Sequence, residues 1–172
     1  QFQMQESKKG VDVVLSIPPQ VSSAGGGKTS EEIGADLAKE IEEKMPRILD
    51  RENASKEKDP FAITESGMAN SLGTVLGHEM VRFNKLILVV RKSLKDIQMA
   101  IQGTIVMSGD LDLMFTRMLN NQVPALWERY AYPSLKPLAG YCADLYARLE
   151  FFDNWLQTTP PSVFWMSGFF FT

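Results

Sequence analysis

The sequence has one cysteine, Cys142, and one histidine, His78. A lone thiol excludes an intramolecular disulfide framework and fits a reducing compartment. A lone imidazole with no His or Cys cluster beside it leaves a zinc-type centre without ligands, so no metal site is expected. Positive charge is not in excess either. Eighteen Lys and Arg against 21 Asp and Glu give a formal net charge of -3 and a pI near 5.3, so there is no broad electrostatic footprint for nucleic acid or an anionic membrane. The LILVV run at residues 86–90 is far too short to span a bilayer. The start, QFQMQESKKG, is polar and shows no signal peptide. It has no initiator Met and the chain stops just after an aromatic run, so a fragment of a longer protein is expected. What is present is apolar mass: 44% hydrophobic and 23% charged residues in 172 are enough for one real core.

The chain is organised around residues 70–102, NSLGTVLGHEMVRFNKLILVVRKSLKDIQMAIQ. Leu72, Leu76, Met80, Phe83, Ile87, Val90, Leu94, Ile97 and Ile101 alternate steps of four and three, which is one face of a long helix. Glu79, Arg82, Lys85, Lys92, Lys95 and Gln98 are assigned to its polar surface. At 1.5 Å per residue such a helix runs roughly 50 Å and cannot bury its stripe alone. The apolar middle, residues 86–90, calls for neighbours on more than one side. These features predict a mainly α fold, a helical bundle around one long central helix, rather than a coiled-coil dimer or a membrane segment.

Residues 4–17 fit either a short amphipathic helix or a buried strand, VDVVLSI, ended by Pro18 and Pro19. The following loop, SSAGGGKTSEEI, imitates a phosphate-binding loop. Gly27, Lys28 and Thr29 match the end of G-x-x-x-x-G-K-[ST], but Ser22 stands at the first glycine, and Arg91 rather than an acid follows the nearest apolar run. Thr29 and Glu32 instead have the spacing of a capping box. A helix over residues 30–45 is predicted, with Ile33, Leu37, Ile41 and Met45 inward, stopped by Pro46. Residues 50–60, DRENASKEKDP, read as a solvent-exposed connection. The long helix is expected to be capped near Thr64 or Ser66 and ended by Gly103. Ser108 starts a further helix that Asn120 and Asn121 stop. Pro124 opens a short turn carrying Trp127, and residues 137–157 form the last helix, with Cys142 on its apolar face as a buried, inert thiol. Pro160 and Pro161 break it. The aromatic tail, residues 163–171, favours β structure and reads as an adhesive edge.

Several runs then carry a resemblance. TVL at 74–76, EM at 79–80, RFNKL at 82–86, RKSL at 91–94, IQG at 101–103, VMS at 106–108 and VPALW at 123–127 resemble the C-terminal domain of dynein heavy chains, next to the sixth AAA+ module. YPSLKPL at 132–138, RLEFF at 148–152 and residues 160–171, with FWMSGFFF, extend the likeness over nearly the whole sequence and look more like axonemal than cytoplasmic dyneins. The loop GGGKTSEEI and the helix ending at Met45-Pro46 are similar to that family's approach to the same domain.

The resemblance implies residues 1–159 as the helical part of that domain and residues 160–172 as the start of a truncated β-rich part. It implies a non-catalytic structural or regulatory segment of an ATP-driven, minus-end-directed microtubule motor of the cilium or flagellum. ATP and Mg would act elsewhere in the parent motor, with no cofactor in this segment. The partners implied are the AAA+ modules of the same heavy chain and, through the parent, microtubules and other dynein chains. Candidate docking residues are Arg82, Lys85, Trp127 and Trp165. Two other readings stay open: a free-standing helical adaptor, and a nucleotide-binding module using Gly25 to Thr29.

Overall fold

The computed structural model describes residues 28–54, 59–63, 65, 67–68, 70–158 and 161–170. The expected segment at 4–17, and Gly25 to Gly27, lie outside the described residues. Five α-helices and no strand are found among those described: α1 (Ser30–Lys44), α2 (Ser71–Ile101), α3 (Gly109–Leu119), α4 (Ala125–Glu128) and α5 (Leu138–Gln157). The mainly α architecture is the one the periodicity predicts.

The long helix α2 has 31 residues, about 45 Å at its rise per residue. Its cap is Asn70, whose Oδ1 accepts from Leu72 N–H at 3.0 Å, several residues later than the expected Thr64 or Ser66. From Leu76 to Ile97 the predicted stripe is buried throughout, and Leu86 and Ser93 widen it. Leu72 is 40% exposed, a departure at the first turn of the helix. At the other end Gly103 takes a φ of +73°, its N–H reaching Ala100 C=O at 3.0 Å and Thr104 N–H reaching Met99 C=O at 2.9 Å. That is a glycine-terminated closing turn, which satisfies two of the last carbonyls.

α1 begins with the predicted capping box. Glu32 N–H donates to Thr29 Oγ1 at 3.2 Å and Thr29 N–H to Glu32 Oε2 at 2.8 Å. Its buried face is Gly34, Ala38, Ile41 and then Met45, while Ile33 and Leu37 are only half-buried. The rotation has a steric cause: the Phe115 ring of α3 lies so close to Gly34 that an added Cβ would sit 2.2 Å from Cε2. Polar side chains of α2 then hold the segment that descends from α1. Arg91 Nη2 donates to Met45 C=O and Pro46 C=O, both at 3.1 Å, where helical carbonyls lose their partners. Asn84 pairs with both backbone groups of Leu49, accepting its N–H and donating to its C=O, each at 2.7 Å.

Of the described residues in the connection at 50–60, Arg51, Glu52 and Asp59 are exposed as expected, and residues 55–58 lie outside the described residues. Residues 51–53 form a 3-10 turn capped by Asp50, and Ala54 lies against the core. The Arg51 guanidinium lies 4.1 Å from the centre of the Phe61 ring, and Pro60 is buried. Of the described charges, Asp50 caps the 3-10 turn, Asp59 accepts from Phe61 N–H at 2.8 Å, and Arg51 and Glu52 are exposed.

Asn121 joins two helices. It ends α3 in the left-handed region at φ 56°, with Gln122 N–H donating to Arg117 C=O at 2.8 Å. Its own C=O accepts from Leu138 N–H at 2.9 Å and its Oδ1 from Ala139 N–H at 3.1 Å. α5, whose first residues follow Pro137 and have no side-chain cap of their own, is thus capped by the end of α3.

The aromatic tail is no strand among its described residues. It makes a 3-10 turn at Met166–Gly168, and Phe169, 3% exposed, sits edge-on to Phe152 at 5.3 Å between centroids. Gly168 leaves room for the Trp165 ring, which would lie 2.7 Å from any Cβ there. With no strand found among the described residues, the tail turns its rings onto α5. Phe83 of α2, fully buried, meets Phe152 at 5.2 Å, Phe170 at 5.3 Å and Tyr132 at 6.2 Å.

Three substitutions test this packing by urea denaturation. Phe83→Ala is expected to cost about 3–5 kcal/mol, because it empties the junction of α2, α5 and the tail. Gly73→Ala would place a Cβ 2.0 Å from Pro60 C=O and is expected to destabilise by about 1–3 kcal/mol despite Ala's better helix propensity. Gly140→Ala meets nothing nearer than 3.6 Å within α5 and is expected to stabilise by about 0.5–1 kcal/mol. Equal effects of the two glycine changes would contradict the steric account.

Candidate functional site

Of the phosphate-loop candidates, Gly27 lies outside the described residues, and the other two are engaged locally. Thr29 caps α1 as described. Lys28, largely exposed, pairs with Asp36 one turn and more into the same helix, and that carboxylate holds the ammonium pKa above its usual value. Both side chains therefore serve the start of α1.

The four docking candidates separate. Arg82 and Lys85 lie on the exposed outer face of α2. Arg82 sits 3.7 Å from Glu79 and 5.9 Å from the Phe170 ring centre, and the Lys85 ammonium lies 4.8 Å over Tyr130. Trp165 is 37% exposed, with one side against Gly168 and the ring of Phe151 at 6.4 Å. Trp127 is not a surface residue. It is fully buried, and its Nε1–H donates to Ser93 Oγ at 2.8 Å, which in turn donates to Val90 C=O at 2.9 Å. A four-residue helix has no periodicity from which an inward face could be read, and Pro124 turns α4 beneath α2.

Two ionisable groups lie in the core, where sequence patterning places one on the surface and singles out neither. Glu79 is 1% exposed and Arg148 9%. Each holds the backbone of the tail. Glu79 Oε2 accepts from Phe170 N–H at 2.6 Å, and Arg148 Nη1 donates to Phe169 C=O at 3.4 Å. Arg148 is fixed on its other side by Asp144, with Nε to Oδ2 at 2.7 Å, and Lys136 reaches the second oxygen of Asp144 at 2.6 Å. The guanidinium carbon also lies over the Tyr132 ring, 3.8 Å from its centre, and 5.4 Å from that of Trp165. The two charges thus form a clamp from α2 and α5 on one peptide of the tail. The only sequence signal is adjacency, Glu79 before Met80 on the inward stripe and Arg148 between Leu145 and Leu149, and it does not distinguish Glu79 from the exposed Arg82 before Phe83.

Burial and charge act in opposite directions at these acids. Burial pushes the Glu79 carboxyl above its ordinary value, against the Phe170 hydrogen bond and the charges of Arg82 and Arg148. Burial also disfavours the Asp144 carboxylate, but the hydrogen bonds from Lys136 and Arg148 outweigh it and hold its pKa below the ordinary value. Cys142, 6% exposed, has its thiol pushed up to about 12 by burial. It lines a cavity of about 20 Å³ with Leu37, Ile41, Ala139 and Tyr146, room for one water rather than a substrate. Among the described residues no group of three His, Cys, Asp or Glu side chains gathers to hold a metal ion. No described helix is long and apolar enough to cross a membrane.

The clamp has a pH signature. Because the folded pKa of Asp144 is lowered, its stabilisation is present above the ordinary value of 3.8 and is lost as pH falls below it. Asp144→Asn is expected to cost about 3 kcal/mol at neutral pH, since it leaves Arg148 buried without its carboxylate, and the gap to wild type should narrow below that pH. Glu79 has the opposite sign. Its folded pKa is raised, so its contribution is present below 4.5 and is lost as pH rises through the folded value. Glu79→Gln, which retains an acceptor for Phe170 N–H, is expected to flatten that decline. Denaturant midpoints across pH 3–8 check both, and parallel profiles for wild type and both variants would rule out the assigned charge states.

Comparison with known proteins agrees over nearly the whole sequence. The family model for the C-terminal domain of the dynein heavy chain matches residues 4–172. Dynein axonemal heavy chain 3 of Mus musculus is 47% identical over 160 residues, covering 93% of this chain and 4% of the relative. Dynein axonemal heavy chain 6 of Homo sapiens is 41% identical over 170 residues, covering 99% of this chain and 4% of the relative. Dynein axonemal heavy chain 1 of Rattus norvegicus is 44% identical over 158 residues, covering 92% of this chain and 3% of the relative. This chain therefore spans a small fraction of the length of the relatives it matches. With a matching model from residue 4 to residue 172 and axonemal heavy chains at this level of identity, the chain belongs to the family defined by the C-terminal domain of dynein heavy chains.

Proposed function

We propose that this segment is a non-catalytic structural and regulatory part of an axonemal dynein heavy chain, packed on the AAA+ ring of the same polypeptide. The parent protein would be a minus-end-directed microtubule motor ATPase of the cilium or flagellum, with ATP and Mg bound in the ring and not here. The carrying observation is where the ionisable side chains are spent. Glu79, Arg148 and Asp144, the most enclosed of them, hold the tail and one another rather than lining a cleft, and Lys28 and Thr29 serve the cap of α1. Such a module contributes rigidity: α2 is a stiff rod whose inner side is packed and whose outer side is left for contact.

The test uses the whole heavy chain. Lys28→Ala is expected to leave Mg-ATP affinity and hydrolysis unchanged. Removal of residues 30–170 is expected to change microtubule gliding velocity or the melting temperature of the motor while nucleotide still binds. Loss of nucleotide affinity in Lys28→Ala would restore the phosphate-loop reading, and a motor indifferent to the deletion in velocity, hydrolysis and melting would rule out the structural role.

A further inference from the structure

We propose that the outer face of α2 between Val81 and Lys95 docks an acidic, apolar-studded surface elsewhere in the same heavy chain. The proposal rests on the reading that this segment packs on the rest of its own polypeptide, and it names the chemistry of the contact. The exposed residues of this strip are Val81, Arg82, Lys85, Leu88, Lys92 and Lys95. Val81, Lys85, Leu88, Lys92 and Lys95 recur at steps of three and four, the spacing of one helix face, with Arg82 beside Val81. Val81 is 70% and Leu88 59% exposed, seven residues and about 10 Å apart along the axis. Two large aliphatic side chains on one line, flanked by cations, form the apolar part of a contact and its charged border.

Among the described residues the charge of the three lysines is not paired locally. The 172 residues together have a formal net charge of -3, yet this strip holds four exposed cations and no exposed carboxylate. The α2 acids nearest to it are Glu79, which is buried against Phe170, and Asp96, which is half-buried. Among the described residues no carboxylate makes an ion pair with Lys85, Lys92 or Lys95, and Arg82 has only the 3.7 Å approach to Glu79. A row of four like charges along one helix is repulsive until a partner neutralises it, so the complementary surface is acidic. The occupant follows from the length of the relatives. They are far longer, this region being 4% of one of them, so the remainder of the polypeptide is tethered beside the strip at high effective concentration. An acidic partner helix placing apolar residues at i and i+7 against Val81 and Leu88 fits this geometry.

The experiment is zero-length carbodiimide cross-linking of the intact heavy chain, which joins only ammonium and carboxylate groups already in contact, read by mass spectrometry. Lys85, Lys92 or Lys95 should be joined to Asp or Glu residues of the same polypeptide outside residues 1–172. Those products should be lost in Val81→Asp/Leu88→Asp, which keeps every lysine. If Lys28, Lys39, Lys44 or Lys136 are joined to the rest of the polypeptide while the strip lysines are not, packing on the heavy chain stands and the docking strip is wrong. Products joining the strip to tubulin or to an accessory subunit would overturn the occupant. No product between any lysine of this segment and the rest of the polypeptide would overturn both.

Discussion

The tail of this domain is held by two buried charges that do not pair with each other. Glu79 on α2 takes the amide of Phe170, and Arg148 on α5 takes the carbonyl of Phe169. A buried charge without partners is expensive, so each is compensated. Glu79 has Arg82 at the surface and the backbone amide; Arg148 has Asp144, Lys136 beyond it, and the face of Tyr132. Breaking either set leaves an enclosed charge exposed to the low dielectric. The aromatic junction of Phe83, Phe152, Phe169 and Phe170 is built around this clamp, because only a tail fixed at that peptide presents both phenylalanines inward.

The same logic of backbone groups held by distant side chains recurs along the molecule. Arg91 receives the carbonyls at the end of α1, Asn84 pairs with Leu49, and Asn121 caps α5 from the end of α3. Each device fixes the direction of a connection, where hydrophobic burial alone would leave the backbone free to slide. Together they make α2 a spine: its inner face carries the core, its flanks hold the connections, and its outer face is exposed.

Much of this was legible in one dimension. The stripe from Leu76 to Ile97, the capping box at Thr29, the closing glycine at 103, the stop at Asn120-Asn121 and the span of α5 all follow from local rules of helix geometry and capping. The runs YPSLKPL and FWMSGFFF pointed to the family. Trp127 was misplaced because α4 is too short to show a face, and Glu79 because an acid beside an apolar stripe is normally solvated. β-favouring composition predicts an extended tail, whereas the rings of its described residues meet a covering helix.

The amino-acid sequence by itself determined which longer segments are helical, most of their stops and the apolar stripe of α2, since these depend on residues within a few positions of one another. Only the tertiary structure decided which polar groups go inside. The partners of Glu79 and Arg148 lie 91 and 21 residues away, and whether a charge can be buried depends on what meets it there.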